Sequence, residues 1–199
     1  MEKVLAAILC GTFVCLCGGV VNPSEINGTE TPDLIEYCEE NAIHSEEELQ
    51  SIIDLYNCEK ETQCSIDDTN SDTIVSFDLS IDYENQFIIT TTVYKTVTTR
   101  STTSGYVIQN YRSSSGYIIF QVRADGEFFY NGYSCSTISA TATFTPTAYL
   151  GWSSSPSSSS GKSDGRAYAK AYGTAVNGSL SHDYSVYLYC DIDGELSAD

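Results

Sequence analysis

Residues 166–195 read RAYAKAYGTAVNGSLSHDYSVYLYCDIDGE. In the first part Ala167, Ala169 and Ala171 alternate with Arg166, Tyr168, Lys170 and Tyr172. In the second part Val186, Leu188 and Cys190 alternate with Ser185, Tyr187 and Tyr189. Successive side chains of a strand point to opposite faces, so each part has a small apolar face and a Tyr-rich, partly charged one. Asn177-Gly178 lies in the loop between them. This is the pattern of a half-buried antiparallel strand pair with one dry and one wet side.

The chain upstream supplies more segments of the same period. Val75, Phe77, Leu79 and Ile81 alternate with Ser76, Asp78, Ser80 and Asp82. Phe87 to Thr99 is a long Thr-rich strand, and Tyr106 to Tyr111 is a short one. Tyr117 to Ala124 and Glu127 to Tyr130 are expected to form a hairpin across Asp125-Gly126, a strong short-range turn signal. From Ser134 to Thr147, Ile138, Ala140, Ala142 and Phe144 fall on one face. Gly151 to Gly165 is expected to be a Ser-rich loop. About eight strands at this spacing indicate a mainly β chain, an antiparallel β-sandwich, preceded by a short acidic helical segment.

That helical segment stands apart in charge. The whole chain of 199 residues carries a net charge of −18, yet residues 20–72 hold fifteen acids and one base, Lys60. Residues 73–199 hold eleven acids and seven bases. Ser45 to Glu48 has the form of a capping box, and Leu49, Ile52, Ile53 and Tyr56 follow at helical spacing. Residues 1–19, with Lys3 and the apolar run Val4 to Val14, are expected to be a secretory signal peptide. The expected organisation is therefore a signal at 1–19, an acidic helical arm and linker at 20–71, and a β-sandwich domain at 72–199. Such a chain is secreted or lies on the extracellular surface. The negative charge argues against nucleic acid, which requires clustered Lys and Arg. It argues equally against a membrane partner beyond the signal peptide.

Cys10, Cys15 and Cys17 fall within the signal, leaving Cys38, Cys58, Cys64, Cys135 and Cys190. Export permits disulfides. Cys135 and Cys190 are candidates to bridge two strands, and Cys38 pairs with either Cys58 or Cys64, which leaves one cysteine over. No C-x-x-C occurs and the chain has two histidines, so zinc is not expected.

No catalytic motif stands out. Ser181-His182-Asp183 has the residue types of a triad, but adjacent residues do not form a chain of contacts from nucleophile to base to orienting acid. Asp191-Ile192-Asp193-Gly194-Glu195 has the start of a calcium loop without its later ligands. Asp78 and Asp82 on one strand face read as solvated acids rather than a glycosidase pair. Neither catalysis, metal nor cofactor is expected. The most informative surface feature is the set Tyr168, Tyr172, Tyr187 and Tyr189, whose rings suit a sugar or a protein partner. The competing reading is a cross-strand ladder that stabilises the sheet, or a face covered by the N-terminal helix.

The runs STISATATFTPTAYLGW (136–152), GRAYAKAYGTAVNG (165–178) and YSVYLYCDIDGEL (184–196) together resemble the C-terminal motif of small secreted all-β proteins of Gram-positive gut bacteria (Firmicutes). That family has no known function. The resemblance spans about Thr73 to Leu196 and implies a fold, with no catalytic residues to carry over. A weaker similarity, through GRAYAKA, is to secreted two-sheet bacteriocins. The expected function is a non-catalytic module that binds an extracellular glycan or protein through the Tyr face. The alternative is a bacteriocin-like antagonist whose acidic arm is a removable pro-segment.

Overall fold

The structure, a computed structural model, describes residues 34–57 and 72–198. The described helices and strands fall in one compact unit, Pro32–Asp199. Two antiparallel sheets form a β-sandwich. The first sheet has five strands in sequence order: β1 (Thr73–Asp82), β2 (Phe87–Thr98), β3 (Thr102–Arg112), β4 (Ile118–Tyr130) and β5 (Cys135–Pro146). The second has four: β6 (Ser157–Ser163), β7 (Arg166–Asn177), β8 (Leu180–Cys190) and β9 (Leu196–Ala198).

The alternation in residues 166–190 sets the core. Ala167, Ala169 and Ala171 are fully buried, together with Val186, Leu188 and Cys190 on the paired strand. They pack on Phe120, Val122, Ala124 and Phe128 of β4. Small residues on β7 allow the sheets to come close. At Gly126 an added Cβ would stand 2.6 Å from the Phe128 ring and 3.0 Å from the Ala169 Cβ. Thr137 Oγ1 donates to the Tyr168 carbonyl across the same gap at 2.8 Å.

Gly126 also corrects one expectation. Asp125-Gly126 is not a turn: β4 runs unbroken through it, with Gly126 opposite Gly105 on β3. Gly126 does not have positive φ, whereas a two-residue hairpin of this type needs positive φ at both positions. The glycine is there for the close approach of the second sheet. Just beyond it lies a β-bulge: Glu127 pairs with Ser139, and Phe128 with Thr137. Ile138 is the extra residue. It turns out to solvent at 54 % exposure, and Thr137 takes its place facing inward. The alternation expected across Ser134 to Thr147 therefore holds for Ala140, Ala142 and Phe144 and slips by one residue at Ile138. The expected serine loop likewise contains a strand, β6, on the sheet edge, paired with β7 alone.

Helices α1 (Leu34–Glu40) and α2 (Glu46–Asn57) make a third layer on the outer face of the first sheet. Ser45 caps α2, accepting from the Glu48 N–H at 3.1 Å, while the Glu48 carboxylate reaches back to the His44 N–H at 2.9 Å. Leu34, Ile35, Cys38, Leu49 and Ile53 close over Ile88, flanked by Leu79 and Ile81. The apolar face of β1 thus points to the helices, and Asp78 and Asp82 point to the other side.

A polar chain beneath this layer ties it down. Arg112 is 2 % exposed and pairs with Glu46, at the start of α2. Its Nη1 donates to the Gly116 carbonyl at 3.0 Å. Asn110 donates to the same Glu46 carboxylate at 3.3 Å and accepts from Gln121 at 2.8 Å. Removing one partner of a buried ion pair leaves an uncompensated charge, which costs about 3 kcal/mol or more. Glu46→Gln should accordingly lower stability by about 3 kcal/mol in urea unfolding, and Glu46→Leu with Arg112→Leu should recover most of the loss. An equal loss in single and double variants would show that the pair does not anchor the helices. Gly126→Ala should cost about 2 kcal/mol by forcing Phe128 aside, read from the same unfolding curves.

Candidate functional site

The outward face of β7 and β8 gathers the tyrosines. Register places Tyr168 opposite Tyr189, Lys170 opposite Tyr187 and Tyr172 opposite Ser185. Their neighbours Ala167, Ala169, Ala171, Val186 and Leu188 are held in the core, so the backbone fixes where these side chains point. Tyr187 and Tyr189 stack with centroids 5.5 Å apart and planes 8° from parallel. Tyr168 meets both edge-on, at 5.5 and 6.2 Å. The Tyr168 ring lies over Gly161 on β6, where an added Cβ would come within 2.8 Å of its hydroxyl oxygen. The helical layer is on the other sheet, so α1 and α2 do not cover this face.

Two cations are built into the ladder. Lys170 Nζ stands 4.6 Å from the Tyr187 ring centre and 5.0 Å from that of Tyr172. Arg166 lies 4.1 Å over Tyr189 and donates to Ser197 Oγ at 3.3 Å. Each such contact contributes about 0.5–1 kcal/mol at an exposed site. The Lys170 ammonium beside it holds the Tyr187 phenol below its ordinary range. Tyr172 is 40 % exposed, Tyr168 and Tyr187 are half-buried, and Tyr189 is buried. Of the four candidate residues, Tyr189 alone is buried. Tyr189 is boxed in by Arg166, Tyr168 and Tyr187, which leaves Tyr168, Tyr172 and Tyr187 as the more exposed rings of the four.

The Ser181-His182-Asp183 run is split by the strand pleat. Asp183 faces outward and accepts from Thr174 Oγ1 at 2.6 Å, whereas His182 faces the core. His182 lies against Phe87 and Tyr111, both with ring centres at 5.1 Å. Its Nδ1 is 3.7 Å from Asp82 Oδ2. Asp82 is not simply solvated. It caps the β1–β2 turn, accepting from the Glu84 and Asn85 N–H groups at 3.0 and 3.1 Å. Sequence reasoning missed this pair because the two residues lie a hundred positions apart. Asp191 plays a similar turn role, accepting from the Asp193 and Glu195 N–H groups, both at 2.9 Å. Among the described residues no three His, Cys, Asp or Glu side chains converge as metal ligands.

A second polar surface went unread in the sequence. On the outer face of β3 to β5 a shallow trough of about 240 Å³ is lined by Tyr106, Arg123, Asp125, Glu127 and Thr141 among others. Arg123 lies 3.6 Å over the Tyr106 ring and donates from Nε to Asp125 at 2.8 Å. The Tyr106 hydroxyl donates to Asp72 at 2.9 Å. The cation of this trough is paired within it, Arg123 with Asp125, whereas Lys170 of the ladder on the opposite sheet lies against aromatic rings.

Among the described residues no two cysteine candidates are joined. Cys38, Cys135 and Cys190 are free, buried thiols, and Cys58 lies outside the described residues, as do Cys64 and the expected signal peptide. The Cys135 thiol sits in its own hydrogen-bond niche, donating to the Gly165 carbonyl at 3.3 Å and accepting from the Ala167 N–H at 3.2 Å. Cys190 donates to the Asp191 carbonyl at 3.4 Å. Burial pushes the Cys190 thiol up to about 12 and that of Cys38 up to about 11, so both stay protonated at neutral pH.

No protein-family model matches this chain, and no curated protein or solved structure matches it at a significant level.

Burial holds the His182 imidazole below its ordinary value of 6.5, against the opposing pull of Asp82 and Asp183. The folded state thus resists the proton more than the unfolded chain does. The stability this contributes is complete above pH 6.5 and is lost as pH falls from there through the lowered folded value. Thermal unfolding of the wild type should therefore show a drop in Tm on acidification below pH 6.5 that His182→Gln lacks. Parallel Tm profiles for the two proteins would rule out a buried, neutral His182.

Proposed function

We propose that this chain is a secreted or surface-associated, non-catalytic β-sandwich module that binds an extracellular glycan or protein through Tyr168, Tyr172 and Tyr187. One observation carries this reading. The outer face of the first sheet is partly covered by helices and the Arg123 of its open trough is taken up by Asp125, while the outer face of the second presents aromatic rings and an ammonium group that α1 and α2 leave uncovered. Tyr offers flat apolar contact with a polar handle at low conformational cost, which is why such residues dominate binding energies. A non-catalytic role is supported by His182 packing against aromatic rings, with its neighbour Asp183 on the opposite face of the strand. A removable acidic arm finds less support, because α1 and α2 cover Ile88 and pair with Arg112.

The test is a screen of the purified chain against glycan arrays and extracellular proteins, followed by Tyr168→Ala and Tyr187→Ala. Each should weaken binding by about tenfold or more while circular dichroism shows the sheet intact. Unchanged binding in both variants removes the Tyr face from the function.

A further inference from the structure

We infer that the Tyr face takes a sugar bearing a carboxylate, a uronic or sialic acid residue, with the Lys170 ammonium as the partner of that carboxylate. This deepens the binding reading above and rests on it. The cations of the chain are used in different ways. Lys95 pairs with Glu195 at 3.8 Å, Arg112 with Glu46, and Arg123 with Asp125. Lys170 pairs with no carboxylate among the described residues; its nearest partners are the rings of Tyr172 and Tyr187. An ammonium held this way is positioned before any ligand arrives, which reduces the ordering cost of binding an anion.

The surroundings of Lys170 match the rest of a sugar. Tyr168 and Tyr172 lie two residues away on either side along β7, Tyr187 lies across on β8, and Ser159 lies across on β6. Rings to cover the apolar C–H face of a pyranose, hydroxyls to meet its own, and one fixed cation form a surface that is flat rather than pocketed. A run of acidic side chains by itself offers no flat apolar face to lay on these rings. The net charge of −18 further disfavours a densely charged polyanion and leaves a ligand with isolated carboxylates.

The experiment uses the full chain with 3′-sialyllactose and trigalacturonate, each set against its carboxyl methyl ester, which keeps the sugar and removes the charge. Calorimetry should show the free acid of at least one sugar binding about tenfold tighter than its ester, a preference that narrows as salt rises from about 0.05 M to about 0.5 M. Lys170→Gln should bring the acid down to the level of the ester, and Lys170→Arg should keep the preference. Equal binding of acid and ester, or a preference that survives in Lys170→Gln, overturns the inference. If acid and ester bind alike and Tyr187→Ala abolishes both, the Tyr face stands as the binding surface and only the carboxylate assignment falls. If neither sugar binds while a short poly-glutamate peptide does, and Lys170→Gln removes that binding, the ligand is an acidic polypeptide and the sugar assignment is overturned. If no probe binds, the inference falls, and the array screen decides the wider reading on its own.

Discussion

The contact on which this fold depends is the approach of β7 to β4. Two sheets of a sandwich ordinarily pack about 10 Å apart, their side chains interdigitating. Here the second sheet brings alanines to the interface, and the first answers with Phe120, Val122 and Phe128. At Gly126 the backbone of β4 itself lies against Ala169, with the Phe128 ring folded over it. Large residues on one sheet and small ones on the other fill the layer without voids. The same alternation that buries the alanines sends Tyr168, Lys170 and Tyr172 outward, so core packing and the outer ladder are two results of one pattern.

The first sheet solves a different problem. Its edge strand β1 turns its apolar side chains away from the sandwich, and Leu79, Ile81 and Ile88 would meet water without a cover. Helices α1 and α2 supply it. Because the helical segment is acidic, its attachment needs a fixed cation, and Arg112 provides one in the floor of the interface. A buried pair of this kind is a weak source of net stability but a demanding one to break. It fixes where the helix begins on the sheet.

The fold class was legible because period-two alternation persists through most of residues 73–190, and a half-buried strand shows little else. The helix Glu46–Asn57 was legible for the same kind of reason, through its cap and its spacing. Three things were not. Asp125-Gly126 carries the chemistry of a turn, and only the neighbouring sheet reveals that its glycine answers a steric demand. Ile138 is an ordinary member of an alternating run until its partner strand is known, since a bulge is a property of a pair. Alternation in β1 shows two faces but not which one the helices take. At the candidate site, the four tyrosines share a face as expected, but the burial of Tyr189 depends on Arg166 lying over its ring. The Asp82–His182 contact joins strands distant in sequence and left no local trace, and the Arg123 trough needs the register of β3 on β4 to bring the Tyr106 ring against Arg123.

The placement of the helical layer has an electrical consequence. Glu36, Glu39, Glu40, Glu47, Glu48 and Asp54 ride on one side of the sandwich, while Lys170 and Arg166 lie on the other. Among the described residues the helical side is therefore the more negative, a dipole superimposed on a net charge of −18. Near a negatively charged boundary the monopole resists approach and the dipole turns the second sheet toward it. Encounters that do occur are biased to one orientation before any specific contact forms, and this bias weakens as ionic strength shortens the reach of both fields.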